Sequence, residues 1–190
     1  PLLFRNPKIA ILLLAVGAAV YFLGGKNLIQ SVAGGSNTFS LGADLNQQVY
    51  DKAEVFEPLA DNVKNPMPER VTLEKFAPEC LNQGKQGSCV AWSSAYAARS
   101  ILYARQTGKD PNSVAFSPSF LYNQIGLDGC LGSYILRAME NMKQVGALPL
   151  QDFPYDESDC SSQPAQFQLK SAAAYRINGF SRLSKSGDDY

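Results

Sequence analysis

Gln83-Gly84-Lys85-Gln86-Gly87-Ser88-Cys89 is the stretch that decides how this chain is read. Its two glycines let the backbone pass close to a bound ligand. Ser88 stands at a helix N-cap position, and the residues after it keep helical spacing. Ala91, Ala95, Ala98 and Leu102 recur along one row, with Trp92, Ala95 and Arg99 on the adjoining rows. A helix is therefore predicted over 89–106, packed closely on several sides because it is rich in alanine, with Gly108 as its stop. Arg99 and Arg105 fall in its second half, where the helix dipole favours cations. A thiol at such a helix start faces unpaired backbone amides, which favour a thiolate nucleophile. Gln83 could donate its side-chain amide to a developing oxyanion, together with the amide of Cys89. Those parts make half of an acyl-transfer site. The same heptapeptide also suits a buried structural cysteine after a glycine-rich turn, and its residues alone do not choose.

Downstream, Ser117-Pro118 reads as an N-cap followed by proline at the first helical position. A third helix fits 133–145, with Ile135, Ala138, Met139 and Met142 on one face and Gly146 after it. The chain then reads as extended through Pro149 and Pro154. Ala173, Tyr175 and Ile177 alternate with Ala174 and Arg176, the pattern of a half-buried strand. Helices followed by strand predict an α+β class.

Upstream, Ile9 to Gly25 is almost wholly apolar and uncharged, short for a bilayer-spanning helix of about 20 residues but within range. Arg5 and Lys8 precede it and Lys26 follows, a slight bias towards a cytoplasmic N-terminus. A cleaved secretory signal is the rival, because Ser31-Val32-Ala33 suits a signal peptidase. Either reading exports the rest, to a periplasmic or extracellular location. Residues 1–26 are thus expected to be a single transmembrane anchor contacting lipid through 9–25. Residues 27–70, rich in Gly, Ser, Asn, Asp and Pro, are expected to be an extracytoplasmic spacer with short helical pieces around 45–55. The folded domain is expected over 71–190.

Composition narrows the chemistry. Hydrophobic residues make up 45% of the 190 and charged ones 18%, the balance of a globular chain. Lys plus Arg equals Asp plus Glu, 17 each, and no basic stripe interleaves with aromatics, so a nucleic-acid partner is excluded. There is no histidine, which removes the commonest general base and metal ligand. Cysteines without a CxxC pair exclude a zinc site, and no cofactor is called for. The Asp152, Asp156, Glu157 and Asp159 cluster reads as a solvated loop.

Several pieces together resemble the papain-like cysteine peptidases. Gly87-Ser88-Cys89 matches the family's nucleophile motif, and Ala91-Trp92-Ser93 is similar to the Ala-Phe-Ser that continues its helix. Gln83 sits at the spacing of the family's oxyanion-hole glutamine. Ser117 to Tyr122 resembles the start of the family's next helix, and Gly129-Cys130-Leu131-Gly132 the Gly-Cys-Asn-Gly of its substrate cleft. Phe153-Pro154-Tyr155 with Cys160 is similar to its Tyr-Pro-Tyr and later cysteine, and 174–180 to the first strand of its second domain. Two departures stand out. Gln86 replaces a cysteine that pairs in the family, and Val90 replaces an aromatic beside the catalytic pair. Bacterial members often show this same Gln-Gly-Ser-Cys-Val pattern.

The resemblance implies a helical left domain plus the first strand of a β-rich right domain. It implies Cys89 as nucleophile, Gln83 as oxyanion donor, and Gly132 and Ser133 as binders of substrate backbone. With Cys89 free, Cys80, Cys130 and Cys160 remain, enough for one bridge and one spare thiol; Cys130 with either Cys80 or Cys160 is open. The family's histidine and asparagine follow the cysteine by roughly 130–150 residues, a window that opens beyond Tyr190. A catalytic domain incomplete at its C-terminus is therefore expected, since a lone strand would leave a sheet edge exposed. Two functions remain in play. One is a membrane-tethered cysteine peptidase acting on peptide or protein substrates. The other is an inactive papain-like subunit kept for its surfaces in a membrane assembly. A thiol oxidoreductase is a distant third, lacking CxxC.

Overall fold

The helix that begins at Cys89 sets the architecture. In the computed structural model, which describes residues 42–44, 46–56 and 68–182, it runs over 89–107. We number the helices α1 (Gln47–Tyr50), α2 (89–107), α3 (Pro118–Ile125), α4 (Ile135–Gln144) and α5 (Gln166–Ala172). The middle of α2, Trp92–Arg99, is wound as a π-helix between the α-helical ends Cys89–Ala91 and Ser100–Thr107. Back-bonding serines fit this wider winding: Ser93 and Ser94 both donate to Val90 O, and Ser100 reaches back to Ala95 O. Gly108 ends the helix in the left-handed conformation, φ 68°.

Helix α3 opens as its sequence predicts, with Ser117 Oγ accepting from Phe120 N at 2.9 Å and Pro118 in the first turn. It packs against both α2 and α4. Their shared core is Val90, Ala91, Ala95, Leu121, Tyr122, Ile125, Ala138 and Met142. A buried Leu or Met there contributes about 2 kcal/mol over an exposed one. A smaller cluster, Phe120, Leu148 and Ala172, seats α5.

Three expectations need correcting. The strand over 173–177 does not form: α5 occupies 166–172 and continues as a 3-10 turn, Ala173–Tyr175. Burial over 173–177 does alternate as a strand's would, but the buried side chains come from that turn and the extended residues after it. The Gln168 side chain bonds the Ala165 N–H, an N-terminal helix lock, and Leu169 and Ala172 dock on the small cluster. Among the described residues there is no strand ladder, only isolated bridges, so the expected first strand of a β-rich domain is not present there. Second, Arg99 does not serve the helix terminus. It is buried, donates through Nε to Tyr175 O at 3.2 Å, and lies over the rings of Tyr103 and Phe116. Burial lowers its pKa from the ordinary arginine value.

The third concerns the spacer. Its residues 42–44 and 46–56 are docked on the domain rather than standing off it, while 68–70 are exposed. Ala43 pairs in parallel with Ser133, and Val55 in parallel with Arg182. Asn46 caps the short α1 between these two points. No helix among the described residues is long and apolar enough to cross a membrane, and the apolar run 9–25 lies outside them.

Candidate active site

The loop 83–89 is tied down almost entirely by polar contacts. Gln86 O accepts from Ser88 N at 2.8 Å and from Gln83 Nε2 at 3.1 Å. The side-chain amide of Gln83 therefore rests on the same oxygen as the Ser88 N–H, one residue before Cys89. Cys89 itself is half-buried, a free thiol packed against the main core.

Gln86 is where sequence reasoning saw only a lost disulfide. Its side chain is buried, 4% exposed, and Nε2 faces the carbonyls of Asp159, Asp156 and Glu157 at 3.2, 3.4 and 3.5 Å. Lys85 N adds a bond to Glu157 Oε2 at 2.8 Å. The disulfide joins Cys130 to Cys160, with Cα atoms 6.0 Å apart, and leaves Cys80 and Cys89 as thiols. The amide thus ties the nucleophile loop to 156–159, while the bridge ties that loop to the wall at 130. Asp159 and Asp156 fold this loop on itself. Bonds from Ser162 and Ser161 hold the Asp159 carboxyl well below the usual carboxylate range, and Ser158 does the same, less strongly, for Asp156.

The wall on the other side is 130–133. Gly87 lies so close that a Cβ there would stand 2.9 Å from Cys130 O and 3.0 Å from Gly132 N. Cys130 adopts a left-handed backbone, φ 59°, following Gly129 at φ 73°. Leu127 N closes the turn by donating to Gly132 O at 2.8 Å. Gly132 N donates to the buried Tyr122 hydroxyl at 3.1 Å, and burial raises that phenol's pKa. Ser133 is fully buried, with its hydroxyl donating to Ile125 O at 3.1 Å, so only its main chain is offered outward.

That main chain is engaged. Ser133 N donates to Gly42 O at 2.7 Å, and Asp44 N donates to Ser133 O at 3.1 Å. Gly42 also presses on Gly87, where a Cβ on Gly42 would overlap the Gly87 carbonyl. Gly132, at φ 128°, would overlap Gly42 O if it carried one. The chain's own segment 42–44 therefore lies along the edge that runs past Gly87 towards Cys89.

Tyr155 completes the site. Its hydroxyl lies 2.7 Å from Ser88 Oγ, 2.8 Å from Gln83 O and 3.2 Å from Gln86 Oε1. Its ring meets Trp92 edge-on, with centroids 4.8 Å apart. Ser88 occupies the N-cap position but makes no side-chain cap bond, its hydroxyl being turned to Tyr155. Val90, the second departure, is 2% exposed and belongs to the core. Sequence reasoning did not assign Tyr155, Tyr122, Gln86 or Gly42 to the site. Tyr155 had a usable signal in its Phe-Pro-Tyr setting; Gly42 had none, because its contacts are with residues far along the chain.

Residues 68–189 match the papain family cysteine proteases, and the chain belongs to that family. Its fold is similar to that of xylellain, a cysteine protease from Xylella fastidiosa, at a TM-score of 0.58 and 21% identity, covering 78% of this chain and 59% of that one. A structure from work on the mite allergens Blo t 1 and Der p 1 superposes with a TM-score of 0.50 at 20% identity, covering 77% of this chain and 46% of that one. The chain thus spans about half the length of the solved structures it matches. No curated protein matches it.

Proposed function

We propose that this chain carries the nucleophile half of an exported, membrane-tethered cysteine peptidase, held closed by its own 42–56 segment. The observation that carries the reading is the pairing of Ser133 with residues 42 and 44. An edge that accepts an extended backbone through both its N–H and its C=O, and that leads past Gly87 to a free thiol at a helix start, is suited to a peptide substrate.

In the reaction, Cys89 Sγ attacks the scissile carbonyl carbon and the C–N bond breaks to give a thioester and a free amine. Water then releases the acid and restores the thiol. Gln83 and the Cys89 amide stabilise the oxyanion in both steps. Gly132 and Ser133 hold the substrate backbone. The leaving amine needs a proton, and an imidazole is the usual donor. No histidine is present in these 190 residues. In this proposal the histidine and its asparagine come from sequence outside them, roughly 130–150 residues after Cys89. The apolar run 9–25 would sit in the bilayer with its N-terminus cytoplasmic. The domain would then act on peptides or proteins on the far side.

A second reading is an inactive papain-like subunit of a membrane assembly, kept for its surfaces. Fluorogenic-peptide turnover by the natural protein taken from its membrane, compared with its Cys89→Ala variant, separates the two. Turnover in the wild type that vanishes in the variant supports the peptidase. No turnover, or equal turnover in both, supports the subunit.

A further inference from the structure

We propose that Tyr155 is a positioning residue for the chemistry at Cys89, acting through Gln83. The inference rests on the peptidase reading above and adds a residue to it. The phenol contacts Gln83, Gln86 and Ser88 at once. A hydroxyl has one hydrogen, and the distances fit a single arrangement of bonds. Ser88 Oγ donates to the phenol oxygen, and the phenol donates to Gln83 O, with Gln86 Oε1 sharing at longer range.

Two consequences follow from that arrangement. The main chain of Gln83 is fixed at its carbonyl, while its side-chain amide is fixed on Gln86 O. An amide held at both ends of its residue is aimed before substrate arrives, the condition for an effective oxyanion donor. Ser88 is held through its hydroxyl to an element 67 residues away rather than to its own helix, so the entry into Cys89 is referenced to Tyr155. The phenol is itself fixed by its edge-on contact with Trp92, one turn into α2. The site thus closes a ring: α2 places Trp92, Trp92 places Tyr155, and Tyr155 places the two residues that set the donor and the thiol.

The contact also differs from ordinary packing. The ring of Tyr155 fills space against Trp92, and a phenylalanine would fill the same space. Only the hydroxyl reaches Gln83 and Ser88. Removing it keeps the packing and releases the aim.

The test uses the full natural protein as wild type, Tyr155→Phe, Gln83→Ala and the double variant, with Tm, kcat and KM recorded for each on a fluorogenic peptide. Tyr155→Phe is expected to lose about 10- to 100-fold in kcat, the range of a small misplacement of a reacting group, with KM within about twofold. In the Gln83→Ala background the same change should cost less than about threefold, since the group it aims is gone. An unchanged kcat, or a loss of full size in both backgrounds, overturns the positioning role and leaves the peptidase reading standing. If Tyr155→Phe does not fold, Ser88→Ala removes the other hydroxyl of the pair. A kcat loss there that shrinks in the Gln83→Ala background supports the role; an undiminished or absent loss overturns it. A wild type with no turnover overturns the peptidase reading and this role with it.

Discussion

The loop 83–89 and the segment 42–56 both meet at Gly87, yet they are held by different physics. The loop is fixed by polar side chains taken out of solvent: Gln86, buried at 4% exposure and facing three carbonyls, and the half-buried Tyr155 spanning three residues. The segment is held at Ser133 by two main-chain bonds and at Arg182 by two more, with one partly exposed ion pair from Arg182 Nη1 to Asp51 Oδ1 at 2.6 Å. Breaking a bond in the first set leaves a buried polar group unpaired, at about 1–3 kcal/mol. Undocking the second returns backbone groups to water, at far lower cost. The difference separates a part that must stay rigid from a part that can leave, as the proposed peptidase with an internal blocker requires.

The sharpest way to break the comparison is at the thiol. Cys89→Ala in the natural protein is expected to remove roughly a million-fold of kcat, to the floor of a peptide-turnover assay, while leaving the segment docked. Gln83→Ala comes next, with kcat down about 10²- to 10³-fold, the scale for an oxyanion donor. Steady-state kinetics on one peptide measures both.

Gly42→Ala attacks the other side. A Cβ at 42 overlaps the Gly87 carbonyl, so the segment cannot sit where it does, and no cleft residue is altered. Turnover should rise, by about tenfold if docking loses about 1.4 kcal/mol. Limited proteolysis should cut 46–56 faster than in the wild type. A variant with unchanged turnover and unchanged cutting would mean that the segment does not compete with substrate.

The smallest effect is expected from acid. The Arg182 hydrogen bond, with help from Gln47, holds the Asp51 carboxyl below the usual carboxylate range. A lowered folded-state pKa contributes docking that is complete above the free value, about 3.9, and lost as pH falls through the folded one. Hydrogen exchange at Phe56 and Arg182, whose main chains form that end of the dock, should be independent of this group at neutral pH and quicken only below about pH 4. Asp51→Asn should show the quicker exchange at neutral pH already. The change is modest because the pair is solvated.

Much of this was legible in the sequence, where local rules act. Ser117-Pro118 opened its helix and Gly108 closed its own; on the predicted face of the next helix Ala138 and Met142 are buried and Met139 half-buried, but Ile135 is exposed in its first turn. What was not legible depends on distant partners. Ser88 stands at an N-cap, but its hydroxyl goes to Tyr155, which no local rule foresees. Gln86 looked like a deletion of a crosslink because a side-chain amide reaching three carbonyls has no spacing signature. Ala173, Tyr175 and Ile177 alternate in burial as predicted, yet in so short a run a helical turn and an extended piece gave the same pattern as a strand. The pairing of Gly42 with Ser133 joins residues far apart in the sequence, and glycine content alone did not distinguish a docked segment from a spacer.

The central claim is that Cys89 is a nucleophile rather than a core thiol, and the two free cysteines provide the contrast that tests it. Cys80 is exposed and Cys89 is half-buried, so accessibility alone favours Cys80. The natural protein is treated with a peptide carrying an electrophilic carbonyl warhead, at stoichiometric concentration, and the adduct is located by peptide mass spectrometry. The account predicts an adduct on Cys89 with Cys80 unmodified, formed faster in Gly42→Ala. An adduct on Cys80 with Cys89 untouched would contradict it.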